Sequence, residues 1–461
     1  MNRAIEIILA LSIVGGTMAF GGVQTITFSI MEVVVFTLMF AVLIGQTQKG
    51  EIRLPLPIWP ILFVAFVAFQ LMPVPVGVLG KLSPPRLADL GMIPGTTWAA
   101  LTVYPRETWL GLVKFLAYIA AFVLAAHVSD LRRNRSMLVA VLILLGLVEA
   151  AYGIVQYLTG WQQIFTYVKK FDLEEATGTF INRNHYAGHL EMVIPFVLAA
   201  AFYAFNKWVR HRHAIHTTME GEERSSAAQQ LLFYMFLLTL LVVAMVFSRS
   251  RAGILVTVLT IAFLSALAHV KVRRKGWLLG MMGFFGVVAV YATWIGLGPV
   301  LARFEMMSDP GYVTIEGRFA IWKDTVRLIR DFPLFGSGLG TFEIVYRQYQ
   351  TTQLEYVVDH AHNDYLEFAA NTGFLGAALL FIPIFYLLVR MIFAFLEDRH
   401  SYRRSITLGC IGGTLAILLH SLADFNLQIP ANALVFAVIL GIGYRVAIID
   451  RERDDSGQSP H

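Results

Sequence analysis

The densest run of reactive side chains is Asp359-His360-Ala361-His362-Asn363-Asp364, followed closely by Glu367. Two imidazoles among carboxylates admit three chemistries. As a metal set the run is poor. His360 and Asp364, four apart, would share one helix face, whereas His360 and His362 would diverge. No His-Glu-x-x-His pair or second ligand cluster accompanies them, so no metal and no other cofactor is expected. As a structural network the run would close the start of a helix. As a catalytic group, a histidine titrates near neutrality and can take a proton from an attacking hydroxyl. Such a base needs an electrophile. The arginines Arg249, Arg251, Arg318 and Arg347 suggest a phosphorylated one. A guanidinium meets phosphate oxygens at two points and keeps its charge when partly buried. Gly336, Gly338 and Gly340 imitate a phosphate loop, but no strand precedes them and no Walker lysine follows. No pair of carboxylates of the glycosidase type stands out.

The elements that must carry these groups are membrane helices. Hydrophobic residues make up 57% of the chain and charged residues 15%, and the mean hydropathy is +0.64. A soluble protein of this length could not cover that much apolar surface with polar groups. The pI near 9.2 does not indicate nucleic-acid binding, because most basic residues fall in short loops between apolar runs. The one cysteine, Cys410, cannot form an intrachain disulfide.

Apolar runs long enough, or nearly so, to cross the hydrocarbon predict twelve spans. They are 5–21, 26–45, 58–77, 109–127, 137–158, 187–206, 230–247, 252–269, 277–296, 374–396, 405–422 and 429–449. Such lengths exceed barrel strands, which makes the fold class an all-α polytopic membrane protein. With both termini cytoplasmic, every inner loop is basic, from Lys49 and Arg53 through Arg132, Arg133 and Arg135 to Arg399, Arg403 and Arg404. The expected organisation is one integral-membrane domain over 1–450, a long outer loop over 297–373, and a cytoplasmic polar tail over 451–461. Short outer loops normally avoid basic residues, so Arg249 and Arg251 around Ser250 mark either headgroup anchors or an outward-facing anion site. Within the long loop, 317–330 has helical periodicity, with Phe319, Trp322, Val326 and Ile329 as its apolar stripe. Asp331-Phe332-Pro333 should end that helix.

Several polar positions keep two readings. Asn182, Asn184 and His185 suit sugar binding or helix capping equally. His420, Asp424 and Asn426 read slightly better as a structural network between helices than as glycan ligands. Glu32 and Gln70 have no identifiable partner and no catalytic assignment.

Four stretches together resemble the O-antigen ligase and polymerase superfamily of bacterial surface-glycan enzymes. The first is His362-Asn363, a nine-residue interval, then Gly373 and Gly376, where a long outer loop enters a late span. The others are Gly317-Arg318 followed by Trp322, the turn Phe247-Ser248-Arg249-Ser250-Arg251-Ala252-Gly253, and Gly178-Thr179-Phe180-Ile181-Asn182-Arg183-Asn184-His185. The similarity covers mainly 178–380. It implies a fold of the GT-C glycosyltransferase type in the bacterial inner membrane with a periplasmic active site. It also implies transfer of a glycan from undecaprenyl diphosphate to an acceptor hydroxyl, with inversion and without a divalent metal. On that resemblance His362, Arg318 and Arg249 are the catalytic set, and Arg251, Asn363, Asn184 and Arg347 contact the donor or glycan. The acceptor is lipid A-core, a glycan or a protein. Ligase-type transfer is the leading reading. The alternatives are a repeat-unit polymerase, a protein O-oligosaccharyltransferase and a lipid-linked glycan transporter. Transport fits worst, since the informative charges gather at the outer mouth and not along a midplane path.

Overall fold

The computed structural model describes residues 2–50, 53–90, 95–130, 132–210, 218–272, 276–283, 286, 315–351 and 357–455. The helices are α1 (Asn2–Met18), α2 (Thr25–Thr47), α3 (Ile58–Leu71), α4 (Val76–Leu82), α5 (Pro84–Leu90), α6 (Pro105–Val128), α7 (Arg132–Thr159) and α8 (Arg183–Arg210). They continue with α9 (Thr218–Phe247), α10 (Arg251–Val272), α11 (Ile315–Asp331), α12 (Phe342–Tyr346), α13 (Asp364–Glu397), α14 (Ser401–His420) and α15 (Pro430–Tyr444). A π-helical turn, Arg445–Ile449, joins α15 to α16 (Asp450–Asp455). Two short antiparallel pairs, β1 (Pro73–Pro75) with β2 (Trp98–Ala100) and β3 (Gln163–Ile164) with β4 (Tyr167–Val168), lie in connections.

Among the described residues, eight helices are long and apolar enough to cross a membrane: α2, α6, α7, α8, α9, α10, α13 and α15 with its extension. The chain is thus a multi-pass helical membrane protein. Of the other four expected spans, 5–21 and 405–422 correspond to α1 and α14. The run 58–77 gives only the shorter α3, because Pro73 and Pro75 cannot continue a helix and pair instead with β2. Most of 277–296 and the first part of the 297–373 loop lie outside the described residues, as do the last residues of the 451–461 tail.

The centre of the bundle is α8 against α14, with α15 beside them. The apolar windows of α8 and α15 are each 83% buried, against 28% for α2, so α2 lines the periphery. Close approach is possible because α14 presents small residues: a Cβ at Gly409 would stand 2.4 Å from Phe196, and one at Gly412 2.4 Å from Pro195, both on α8. Small residues at such a crossing let backbones pack where no hydrophobic drive separates helix from lipid.

α13 is the element that organises the site. Asn363 is its N-cap, with the side-chain oxygen accepting from Leu366 N–H. The helix starts at Asp364, ten residues before the expected span 374–396, and breaks at Gly373 (φ 63°, ψ −179°). The turn segment 333–338 fills the break: Ser337 and Gly338 N–H donate to Ala370 and Asn371 carbonyls, and Phe374 N–H donates to Pro333. A Cβ at Gly373 would lie 2.3 Å from the Leu334 carbonyl, so only glycine fits. Gln70, partnerless in the sequence reading, bridges the same break by donating to the Phe335 and Asn371 carbonyls and accepting from Leu339 N–H.

α11 forms where 317–330 was expected and stops at Asp331. Its buried face is Ile321, Thr325, Leu328 and Ile329, continued by Phe332; of the expected stripe Ile329 is buried, Trp322 and Val326 are half-buried, and Phe319 is 59% exposed. The expected stripe is displaced because the buried face carries Asp324 and Thr325, which are satisfied locally: Asp324 accepts from the Thr351 backbone and hydroxyl, and Thr325 donates to the Ile321 carbonyl.

Candidate functional site

The site forms where the start of α13 runs beside the α14–α15 connection. Asp364 N–H donates to the Ser421 carbonyl, and the Asn363 amide donates to the Leu422 carbonyl. From α11, the Trp322 indole donates to the Ala361 carbonyl. Pinned on three sides, His362 takes a left-handed backbone conformation, φ 50°. For a non-glycine residue that conformation costs ~1–3 kcal/mol and persists only where the surroundings enforce it. It turns the imidazole so that Nδ1 stands 3.4 Å from Asp424 Oδ1, with no hydrogen bond to Nδ1 among the described residues.

Asp424 is the hub. It is fully buried, and its Oδ2 accepts from the Asn184 amide at 2.6 Å and from Arg318 Nη2 at 3.4 Å, while Oδ1 accepts from Phe425 N–H at 2.9 Å. Burial alone would raise its pKa, but Arg318 and then His362 outweigh it and hold the carboxyl well below the usual carboxylate range. Arg318 also donates to the Ala423 carbonyl at 2.6 Å. Asn184 is placed by the preceding turn: Asn182 accepts from its N–H, and Glu149 holds the Thr179 amide and hydroxyl. The Asn184 carbonyl in turn accepts from the Ser250 hydroxyl at 2.9 Å. Ser250 lies in the α9–α10 turn, so that turn is tied to Asp424 through one amide.

Arg249, in the same turn, also has a left-handed backbone, φ 51°. Its guanidinium is 2.9 Å from Glu174, 3.9 Å from Glu175 and 5.5 Å above the Tyr157 ring. Arg183 holds Glu175 at 2.9 Å from the other side. The arginine is 8% exposed while Glu174 is 76% exposed, so an exposed carboxylate covers a buried cation.

The two histidines of the 359–364 run are placed in different roles. His360 does not share a helix face with Asp364, since it precedes the helix; its Nδ1 meets Glu367 Oε1 at 2.8 Å, and its ring stacks on Phe425 at 4.2 Å. Burial pulls its pKa down, but Glu367 more than compensates and raises it to about 9. The pairing with Glu367 favours the imidazolium form, which leaves His360 less suited than His362 to accept a proton. His362 packs edge-on against Phe425 at 4.9 Å, and it is Nδ1 that meets Asp424.

Four expected site residues therefore converge on Asp424 and its loop: His362, Arg318, Asn184 and Asn363. Arg249 joins them through Ser250, and Arg251 opens α10 immediately after. Arg347 is not drawn in; it is 58% exposed beyond α12 and paired with Glu343 at 2.7 Å. The groups underread in the sequence are Asp424, Glu174 and the buried pair His420–Glu191 at 3.0 Å. Their signal was only acidic residues beside predicted span ends. Among the described residues, no group of three or more His, Cys, Asp or Glu is arranged to hold a metal ion.

Fold and site define a multi-span helical membrane protein with a cationic, histidine-bearing cluster at one end of its bundle. Residues 236–381 match the family model described as O-antigen ligase, which supports a place for this stretch in the O-antigen ligase superfamily. The match runs from α9 past the α13 break and takes in Arg249, Arg251, Arg318, Arg347, His362 and Asn363; Asn184 and Asp424 lie outside it. No curated protein matches the chain. The match supports a glycosyltransferase of the O-antigen ligase or polymerase type, working between a lipid-linked glycan and a glycan acceptor.

Proposed function

We propose that the protein transfers a glycan from undecaprenyl diphosphate to an acceptor hydroxyl at the periplasmic face of the inner membrane, with inversion, as an O-antigen ligase does. The acceptor oxygen attacks the anomeric carbon as the bond from that carbon to the phosphate oxygen breaks. The diphosphate leaves with the bonding electron pair, and the hydroxyl proton passes to His362 Nε2. Asp424, facing Nδ1, orients the ring and stabilises the imidazolium that forms. Arg318 and Arg249 receive the diphosphate charge, with Arg251 beside them; a fixed guanidinium is most effective where charge grows on the leaving group. Diphosphate is already a good leaving group, so the protein's task is positioning, proton acceptance and charge stabilisation. Asn363 and Asn184 hold His362 and Asp424 in register, and their remaining polar capacity suits sugar hydroxyls.

The observation that carries this reading is the strained His362 held against a buried carboxylate that also binds Arg318. The test incubates the purified protein with a lipid-linked glycan and, separately, lipid A-core, a second lipid-linked glycan or a protein. A single added glycan mass on lipid A-core supports the ligase reading. A ladder on the lipid-linked glycan means polymerisation, and movement of the lipid across a vesicle without any new glycosidic bond overturns the enzyme reading.

A further inference from the structure

The connection between α7 and α8 carries large apolar side chains that stay substantially exposed. In and around the β3–β4 hairpin, Trp161 is 39% exposed, Phe165 45%, Val168 61%, Phe171 70% and Leu173 45%. A connection in water would not hold five large apolar groups on one short segment without a partner.

Its position says what that partner is. Phe165 N–H donates to the Tyr152 hydroxyl at 2.9 Å, and the Tyr152 ring meets Trp161 at 5.3 Å and Phe165 at 5.8 Å. Tyr152 lies two turns before the end of α7, about 10 Å down the helix axis at 1.5 Å per residue. The hairpin therefore folds back along α7 instead of rising away from the bundle. The face it folds onto is the helix's outward stripe: Leu144, Val148, Val155 and Leu158 are 63%, 39%, 46% and 64% exposed. On a spanning helix such a stripe faces hydrocarbon. The hairpin adds its exposed apolar residues at that end of α7, and Lys170, exposed between Val168 and Phe171, suits the phosphate layer above it.

We infer that residues 161–173 form a hairpin embedded in the leaflet at the site end, with Phe165, Val168 and Phe171 among the lipid chains. The partner is the phospholipid leaflet itself. The hairpin runs directly into Asp172, Glu174 and Glu175, the carboxylates around Arg183 and Arg249. The hairpin's seating in the leaflet is thereby linked along the chain to the carboxylate that covers Arg249.

The test is spin labelling of the full chain in phosphatidylethanolamine–phosphatidylglycerol vesicles. Single cysteines replace Val168, Phe171 and, as an aqueous reference at the same end, Arg106, whose side chain is 87% exposed. Cys410 stays in place because it is buried, and the parent chain serves as the label blank. The expected result is relaxation by oxygen exceeding relaxation by a nickel chelate at Val168 and Phe171, with the order reversed at Arg106. Nickel accessibility at both hairpin positions equal to that at Arg106 would put the hairpin in water and overturn the inference. Shielding from both reagents would also overturn it, by assigning the surface to another protein chain or a second copy. Neither readout depends on glycan transfer, so the result stands apart from the proposed activity.

Discussion

The two ends of the bundle are both rich in arginine, yet they treat it in opposite ways. At the end away from the site, cations and acids are closely matched. Arg135 meets Asp450 at 2.7 Å, Arg403 meets Asp398 and Asp454 at 2.9 and 2.6 Å, and Arg445 meets Asp450 and Asp130. These pairs tie the start of α7, the start of α14 and the π-helical turn into one layer. At the site end, Arg318 shares a single carboxylate with Asn184 and stands beside His362, whose Nδ1 lacks a hydrogen-bond partner among the described residues. Arg249 is covered by an exposed glutamate, and two residues of the cluster sit in strained backbone conformations. One layer is built to hold helices together. The other keeps polar capacity in reserve, and undersatisfied buried groups mark chemistry more often than architecture.

The sharpest way to break that contrast is Asp424→Asn. The substitution keeps the shape but gives Arg318 and His362 an amide where they now face a carboxylate. Turnover is expected to fall on the order of 100- to 1,000-fold while the protein still inserts and folds. Retention of near-normal turnover would reduce Asp424 to a structural tie. Next is Arg318→Ala, with an expected loss of about 100-fold in donor use. Lysine should restore it only in part, since it keeps the charge and loses the two-point plane. Full rescue by lysine would mean that charge alone matters there.

At the opposite end the expectation inverts. Arg135, 3% exposed, also donates to the Ser129 carbonyl, and Arg135→Ala leaves Asp450 with one cation fewer. Because Asp450 keeps Arg445, the loss should fall below the ~3–5 kcal/mol expected when a buried charge is left unpaired. It should appear as a lower Tm, with turnover per folded molecule unchanged. A catalytic defect without a thermal one would erase the distinction between the two ends.

The smallest effect concerns His360. Its pKa is raised in the folded protein to about 9 from an ordinary value near 6.5, because Glu367 outweighs the burial that opposes its charge. A raised cationic group stabilises most where both states are protonated. The contribution is complete below about pH 6.5 and disappears as pH climbs through about 9. The Tm difference between the parent and His360→Gln should shrink over that window. A difference that grew with pH would contradict the pairing.

Much of this arrangement was legible in the sequence. The His362-Asn363 to Gly373 spacing has a physical origin: Asn363 caps the helix, and the helix breaks ten residues later, where only glycine admits the 333–338 segment. Arg249 stood out because short outer loops avoid positive charge, and Arg318 through the Gly317-Arg318 stretch of the long outer loop. Asp424, grouped with His420 and Asn426, read slightly better as structural, since an aspartate after a span resembles any helix end until tertiary contacts bury it against Asn184, Arg318 and His362. Arg347 illustrates the reverse error. Its type suited a phosphate, but its place on the surface is set by Phe342 and Tyr346, which bury the other face of α12. The displaced stripe of α11 has a related cause, because periodicity counts apolar residues and cannot foresee that Asp324 and Thr325 will be satisfied inside.

The central claim is that His362, and not its neighbour, accepts the proton. Steady-state glycan transfer by purified, folded His362→Gln and His360→Gln tests it most directly. The account predicts a fall of about 100-fold or more for His362→Gln, in the range general-base catalysis contributes, and a much smaller loss for His360→Gln. Near-normal turnover in His362→Gln together with collapse in His360→Gln would contradict the account and move the base to His360.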